Sequence, residues 1–430
     1  MMCIAESSDL MSTPQDTSAR CPVGNHHHFE IASATLAQRT HLFKLSKTAT
    51  AKIAAKDAAT SGKEIIDLTA GEIWSDIAPS VREGAIAAID RNLNRYTDTV
   101  GLLELRHAVA CKIAAETAQP WSAEEIAVTN GAKQALFNAA MVLLNPGDEV
   151  LIPAPYWSTF PAQIVVAGGT PVFIETRHTN YVPRLTDLAA AVTSKTKAIV
   201  VNTPNNPTGA VYDYDTLAGI AQLATDRNLW IIFDECYGAF AHAPHTHHPI
   251  LSVAPRARNR TLLVNSFSKS LALTGWRIGY LAGPKAVISA VKALQSHTTS
   301  SPNVVAQHAL LQHLDSGDTG FQTQLQRGIA NARALGLSIL SELTSVPHPC
   351  AQGGFYFYLD LTELLRRMNS NGGRTNADDI VTALLMDTGV AVVSGTAFGD
   401  PAGIRVSYGI DLQPLEKALR RLTAALNGWR

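Results

Sequence analysis

The feature that most constrains this chain is a series of short apolar runs at 126–128, 150–152, 172–174, 198–201, 230–233 and 262–264, separated by amphipathic helical patterns. Runs that are apolar throughout, and not alternating, suit strands covered on both faces. Strand and helix in alternation predict a mainly parallel sheet between helices, hence an α/β fold. Ligands of such sheets bind at the carboxyl ends of the strands. Gly131, Tyr156, Asn206, Asp234 and Lys269 fall there.

The pattern differs on either side. Residues 1–30 are rich in Ser, Thr, Pro and Asp and predict a flexible extension, with His26–His28 in a solvated tail. An Ala-rich helix is expected over 33–62, a strand over 64–69, and helices over 79–91 and 101–117. Beyond about residue 300 come a long helical stretch (307–343), a strand (355–359), a helix near 378–387, apolar runs at 390–393 and 404–407, and a closing helix over 414–426. Pro414 starts that last helix, where its missing N–H costs nothing. This end reads as a smaller α+β region. The expected organisation is an extension over 1–40, a large domain over 75–305, and a small domain built from 41–74 and 306–430.

With 430 residues the chain can bury a large core, and a net charge of −1 gives no argument for nucleic acid or an anionic membrane. Its five cysteines are scattered, with no CxxC pair, so neither a disulfide scaffold nor a zinc site is expected. No run is long enough to span a membrane and no signal-peptide pattern opens the chain, so a soluble cytoplasmic protein is expected.

Chemistry-bearing residues cluster at several strand ends. Asn265-Ser266-Phe267-Ser268-Lys269, with Arg277 eight residues on, gathers two hydroxyls, an amine and a guanidinium. Hydroxyls and a guanidinium suit a phosphate, and a lysine beside them suits a Schiff base with an aldehyde, a combination that describes pyridoxal phosphate (PLP). From this stretch alone a solvated loop accounts for the residues equally well. A serine nucleophile in Ser266-x-x-Lys269 lacks the companion SDN and KTG motifs. Gly131, Ala132 and Lys133 open a helix, and a helix start favours an anion, although an ordinary strand–helix turn is the commoner meaning. Trp157 stands where an aromatic can stack on a heteroaromatic ring, or simply fill the core. Asn206 lies in a turn stiffened by Pro204, Pro207 and Gly209. Asp234 ends a very apolar strand, where it either pairs with a protonated ring nitrogen or caps the next helix. Arg405 can grip a carboxylate with two donors, or sit in a surface ion pair. His242, His245, His247 and His248 fall in a Pro-interrupted stretch expected to be a surface loop.

Taken in order, TAGE (69–72), RYTDTVGLLELR (95–106), NGAKQALFNAA (130–140), PYW, NTPNNPTGA, DECY, NSFSKSLALTGWRIGY and IRVSYG give a specific match. Over about 42–426 the chain resembles the fold-type I PLP aminotransferases of classes I and II, and within them the bacterial aspartate/prephenate type. The resemblance implies a large domain with a mainly parallel seven-stranded sheet between helices, plus a smaller α+β domain. It implies pyridoxal 5'-phosphate on Lys269, which would also shuttle the substrate proton, with Asp234 on the ring nitrogen. Asn206 and Tyr237 would hold the phenolic oxygen and Trp157 would stack on the ring. Ser266, Ser268, Arg277 and the Gly131–Lys133 turn would hold the phosphate. Tyr96 would reach the phosphate of a neighbouring subunit, which implies a homodimer. Arg405, with Gly71, Trp157 and Asn206, would bind the substrate α-carboxylate end. Lys133, assisted by Ser46 and Thr48, would bind a distal carboxylate. Trp74 falls in the segment that borders the substrate in this family.

The activity so implied is ping-pong transfer of an amino group from an L-amino acid, aspartate or glutamate, to a 2-oxo acid such as 2-oxoglutarate. Aromatic or prephenate-type substrates, and a PLP-dependent lyase, decarboxylase or oxidase, share the same cofactor motifs. A regulatory binding module is a further alternative. It conflicts with the presence of both Lys269 and Asp234, and with residues 1–40 being too short and too weakly basic for a DNA-binding domain.

Overall fold

The computed structural model describes residues 36–42, 45–60, 62–370 and 376–429. Most of the extension expected over 1–40, with His26–His28, lies outside them. The strands in chain order are β1 (Ile66–Asp67), β2 (Ile126–Thr129), β3 (Glu149–Ala154), β4 (Thr170–Glu175), β5 (Thr196–Asn202) and β6 (Trp230–Asp234). They continue with β7 (Thr261–Ser266), β8 (Gly279–Ala282), β9 (Tyr356–Asp360), β10 (Val390–Ala391), β11 (Val393–Ser394) and β12 (Gly403–Ser407).

Each apolar run between 126 and 264 forms a strand of the expected seven-stranded sheet, in the order β2-β8-β7-β6-β5-β3-β4. All neighbours are parallel except β8, which runs antiparallel to both β2 and β7. The interior strands are almost wholly buried, as their unbroken apolar character requires. Strand β4 lies at an edge and is largely exposed. It is also where Pro171 can sit without breaking a ladder. Strand β8 was not expected from the sequence, because its residues continue the polar turn after Lys269.

A second sheet, β11-β12-β9, is antiparallel, and β1 pairs in parallel with β10. The apolar run at 390–393 therefore serves two sheets, Val390 and Ala391 pairing with β1 and Val393 with β12. The strand expected over 64–69 is only two residues long. The helix expected over 33–62 is Lys47–Thr60. The long stretch after 307 is two helices, Val304–Ser316 and Gly320–Leu340, because Gly317 at φ +63° ends the first in the left-handed region. The helix near 378–387 is Ala377–Ala383, followed by a π turn over Leu384–Thr388. The closing helix, Leu412–Gly428, packs against Gly320–Leu340. Among the described residues no helix is long and apolar enough to cross a membrane.

Arg177 fastens the second sheet beside the first. Its guanidinium donates to Asp360 (2.6 Å) and to Asp400, whose other oxygen accepts from the Tyr358 hydroxyl at 2.7 Å. Asp400 is buried, so Arg177→Ala strands a carboxylate without its cation. The expected loss is about 3 kcal/mol. It is measured as a lower urea midpoint for the first unfolding transition, with Arg177→Lys recovering part of it.

Candidate active site

Strands β5, β6 and β7 end side by side, and β12 of the second sheet faces them across a cavity of about 570 Å³. Gly71, Ala132, Lys133, Trp157, Asn206, Asp234, Tyr237, Ser266, Ser268, Lys269, Arg277 and Arg405 all line it, as do Ser46 and Thr48. The segments that supply them are scattered over more than 350 residues, from Ser46 to Arg405.

At one end the backbone forms an anion cradle. Gly131, at φ +79°, caps the helix Ala132–Leu143, whose first amides point out of the helix. A Cβ on Gly131 would stand 2.8 Å from the Arg277 guanidinium, so only glycine leaves that close approach open. Arg277 itself is fixed by donating to the carbonyls of Thr274 (2.9 Å) and Asn130 (3.3 Å).

In the centre, Asp234 accepts from the Cys236 amide at 3.1 Å. Burial raises its pKa from 3.8 to about 6. Burial likewise lowers Lys269 from 10.5 to about 8, and its amine donates to the Gly71 carbonyl. A buried acid and a buried amine both pushed toward neutrality call for a ligand that supplies their missing partners.

At the other end Arg405 is 2% exposed. It donates to Asn206 Oδ1 (3.0 Å) and to the Thr69 carbonyl (2.7 Å). Its Nε is buried with no partner among the described residues, which fits a carboxylate still to come. Lys133 Nζ lies 5.2 Å from the centre of the Trp157 ring, and its pKa is lowered by burial and then by Arg277. Anion cradle, buried acid, neutral-leaning amine and a buried guanidinium whose Nε has no partner among the described residues together fit pyridoxal phosphate with an amino acid beside it.

Two expectations change. Trp74 does not border this cavity. It is 69% exposed and lines a separate one with Phe321 and Leu325, because its amide is tied to the Gly409 carbonyl at 2.9 Å. The histidine stretch is not simply a surface loop: His242 is buried, within 3.0 Å of the Gly354 carbonyl and 3.1 Å of the Tyr408 hydroxyl, and burial lowers its pKa to about 4. His247 pairs with Glu235 at 3.1 Å. Tyr96, at 90% exposure, is not among the cavity's lining residues within one chain.

Sequence reasoning also missed several members. Tyr356, Glu72, Thr274 and Cys236 all line the cavity. Tyr356 lay inside a run read only as a strand. Glu72 accepts from Thr274 Oγ1 at 3.0 Å and faces Lys52 at 3.5 Å, a contact between segments that local spacing does not reveal.

Comparison with known proteins agrees with this geometry. Residues 63–422 match the family model for aminotransferase class I and II. The chain is 37% identical to a probable aspartate/prephenate aminotransferase of Rhizobium leguminosarum, over 90% of this chain and 98% of that one. It is 36% identical to the aspartate/prephenate aminotransferase of Cereibacter sphaeroides, covering 90% and 97%. Among solved structures, the aspartate aminotransferase of Thermus thermophilus with maleate superposes at a TM-score of 0.84 with 35% identity, covering 91% and 99%. That of Rhizobium meliloti gives 0.86 with 32% identity, covering 92% and 99%.

Proposed function

The chain belongs to the class I and II aminotransferases, and we propose that it moves the amino group of aspartate or glutamate to a 2-oxo acid such as 2-oxoglutarate by a ping-pong route, with pyridoxal 5'-phosphate on Lys269. The observation that carries this reading is the single cavity joining Lys269, Asp234 and Arg405. When bound, the cofactor supplies an aldehyde carbon that takes up amines and a ring that accepts an electron pair from the substrate α-carbon.

This chain's residues do the rest. Ser266, Ser268, Arg277 and the Gly131–Lys133 turn hold the phosphate, and Trp157 covers the ring. Asp234, kept as the carboxylate by a ring N–H⁺, holds that nitrogen protonated. Asn206 and Tyr237 bind the phenolic oxygen. Arg405 takes the α-carboxylate, which orients the α-hydrogen toward Lys269 Nζ. That amine accepts the proton and returns it, a task suited to a pKa of about 8.

Lys133 supplies the preference for a second carboxylate. The relatives' names and the maleate in the Thermus structure support an acidic substrate. Lys133→Ala is expected to raise KM for dicarboxylic donors about 10- to 150-fold, the worth of one charge-assisted contact, and to change neutral donors little. Equal effects on both donor classes remove the acidic-pocket reading. A lyase or decarboxylase would release ammonia or carbon dioxide in step with turnover, and a transaminase would not.

The proposal extends to assembly. The exposure of Tyr96 supports a homodimer in which it serves the neighbouring site. The large (75–305) and small (41–74 with 306–430) domains are part of the same reading, supported by the seven-stranded sheet falling within 126–282 and the three-stranded sheet within 356–407. Residues His41–Arg430 nonetheless form one compact unit.

A further inference from the structure

We propose that Tyr356 is a positioning residue which donates its hydroxyl hydrogen to Tyr237 and so turns the Tyr237 hydrogen into the cavity, toward the cofactor's phenolic oxygen. This rests on the reading above. It starts from a closed ring of contacts. Arg405 donates to Asn206 Oδ1 (3.0 Å), Asn206 Nδ2 donates to the Tyr237 hydroxyl (3.3 Å), and that hydroxyl lies 2.8 Å from the Tyr356 hydroxyl. The Arg405 guanidinium closes the ring, 4.5 Å from the centre of the Tyr356 ring.

The donor directions follow from chemistry. A guanidinium only donates, so the Asn206 oxygen must face Arg405 and its NH₂ must face Tyr237. Tyr237 therefore accepts from Asn206. It has one hydrogen left to give, either to Tyr356 or into the cavity. The Arg405 guanidinium lies 4.5 Å from the Tyr356 ring centre, closer than the 5.9 Å of the Lys269 amine from the Tyr237 ring centre, which makes the Tyr356 phenol the better donor. Burial raises the pKa of both hydroxyls, and the Arg405 cation works against the rise at each. Tyr356 is thus the donor, and the Tyr237 hydrogen is released. Gly71 makes room for this: a Cβ there would stand 2.9 Å from the Tyr356 oxygen.

The test is a pH titration of the bound cofactor's visible absorption, which depends on how strongly its phenolic oxygen is hydrogen-bonded. Tyr356→Phe is expected to raise the midpoint by a few tenths of a pH unit, because a polarised chain of hydrogen bonds has been shortened. In a Tyr237→Phe background the same change should add nothing. A midpoint that falls would mean that Tyr237 had been donating to Tyr356. That result, no change, or an equal shift in both backgrounds overturns the assignment. Gly71→Ala, which displaces the Tyr356 hydroxyl without removing it, gives a second variant with the same expected sign, should Tyr356→Phe fold poorly. Failure of the wild-type chain to bind the cofactor at all would instead defeat the functional reading, and is seen separately as absence of the absorption band.

Discussion

Lys269→Ala lowers transamination by about 10,000-fold or more, while the protein still folds and still takes up the cofactor without covalent attachment. The expected size reflects the loss of a positioned acid–base group, which alone is worth up to about four orders of magnitude. The structural reason lies in the setting of the amine. Lys269 is buried, its pKa is held at about 8, and it donates to the Gly71 carbonyl. No other lysine that lines the cavity is so placed: Lys133 lies over Trp157, and Lys52 faces Glu72. Truncation removes no strand or cap, so stability should change little. Added small primary amines restore part of the rate if the missing function is proton transfer at that point. A variant that keeps more than about one-hundredth of the activity would move the role away from Lys269.

Asp234→Asn gives opposite results in stability and in function. The folded-state pKa of Asp234 is about 6 against 3.8 for an ordinary aspartate. A carboxyl raised in this way contributes stability that is fully present below about pH 3.8 and is lost as pH rises through about 6. In the cofactor-free protein near pH 7.5 the buried charge thus costs about 3 kcal/mol. Asparagine removes that cost, so the cofactor-free variant should melt higher than wild type at pH 7.5, with the gap closing toward pH 4. Once the cofactor is bound the sign reverses. The carboxylate then has a cationic ring nitrogen as its partner, and removing one member of a buried pair costs about 3–5 kcal/mol, or roughly 150- to 5,000-fold in turnover. Thermal melts with and without cofactor, set beside kcat, check both halves. A variant that is less stable without the cofactor would contradict the assignment of Asp234 as an acid awaiting its partner.

Both predictions concern residues that the sequence already singled out, for a physical reason. A charged residue at the end of an unbroken apolar strand carries a burial cost that demands a partner, which marked Asp234, and an amine grouped with hydroxyls and a guanidinium suits a phosphate-bearing aldehyde, which marked Lys269. The parallel sheet was legible in the same way, since strands covered on both faces have no polar alternation. What escaped was what depends on contacts between distant segments. Strand β8 was hidden because Gly279–Ala282 follows directly on the polar turn that holds Arg277. Tyr356 was hidden because its role comes from β9 lying against β12, which sets its ring under Arg405. Trp74 was misplaced for the converse reason: its neighbours in sequence, Gly71 and Glu72, line the cavity, but the chain has turned away by residue 74. His242 is buried through contacts with Gly354 and Tyr408, more than 100 residues distant.

In the proposed reading one cavity brings together the amine of Lys269, the acid of Asp234 and the guanidinium of Arg405 for amino transfer from dicarboxylic substrates. A single-turnover experiment tests it most directly: cofactor-loaded protein is mixed with aspartate in the absence of any acceptor. One equivalent of oxaloacetate per chain is expected, with a matching change in the cofactor's absorption, and then no further reaction. Adding 2-oxoglutarate should restore the original absorption and release one equivalent of glutamate. Continued release of ammonia or carbon dioxide without an acceptor, or no oxo acid from either aspartate or glutamate, would contradict it.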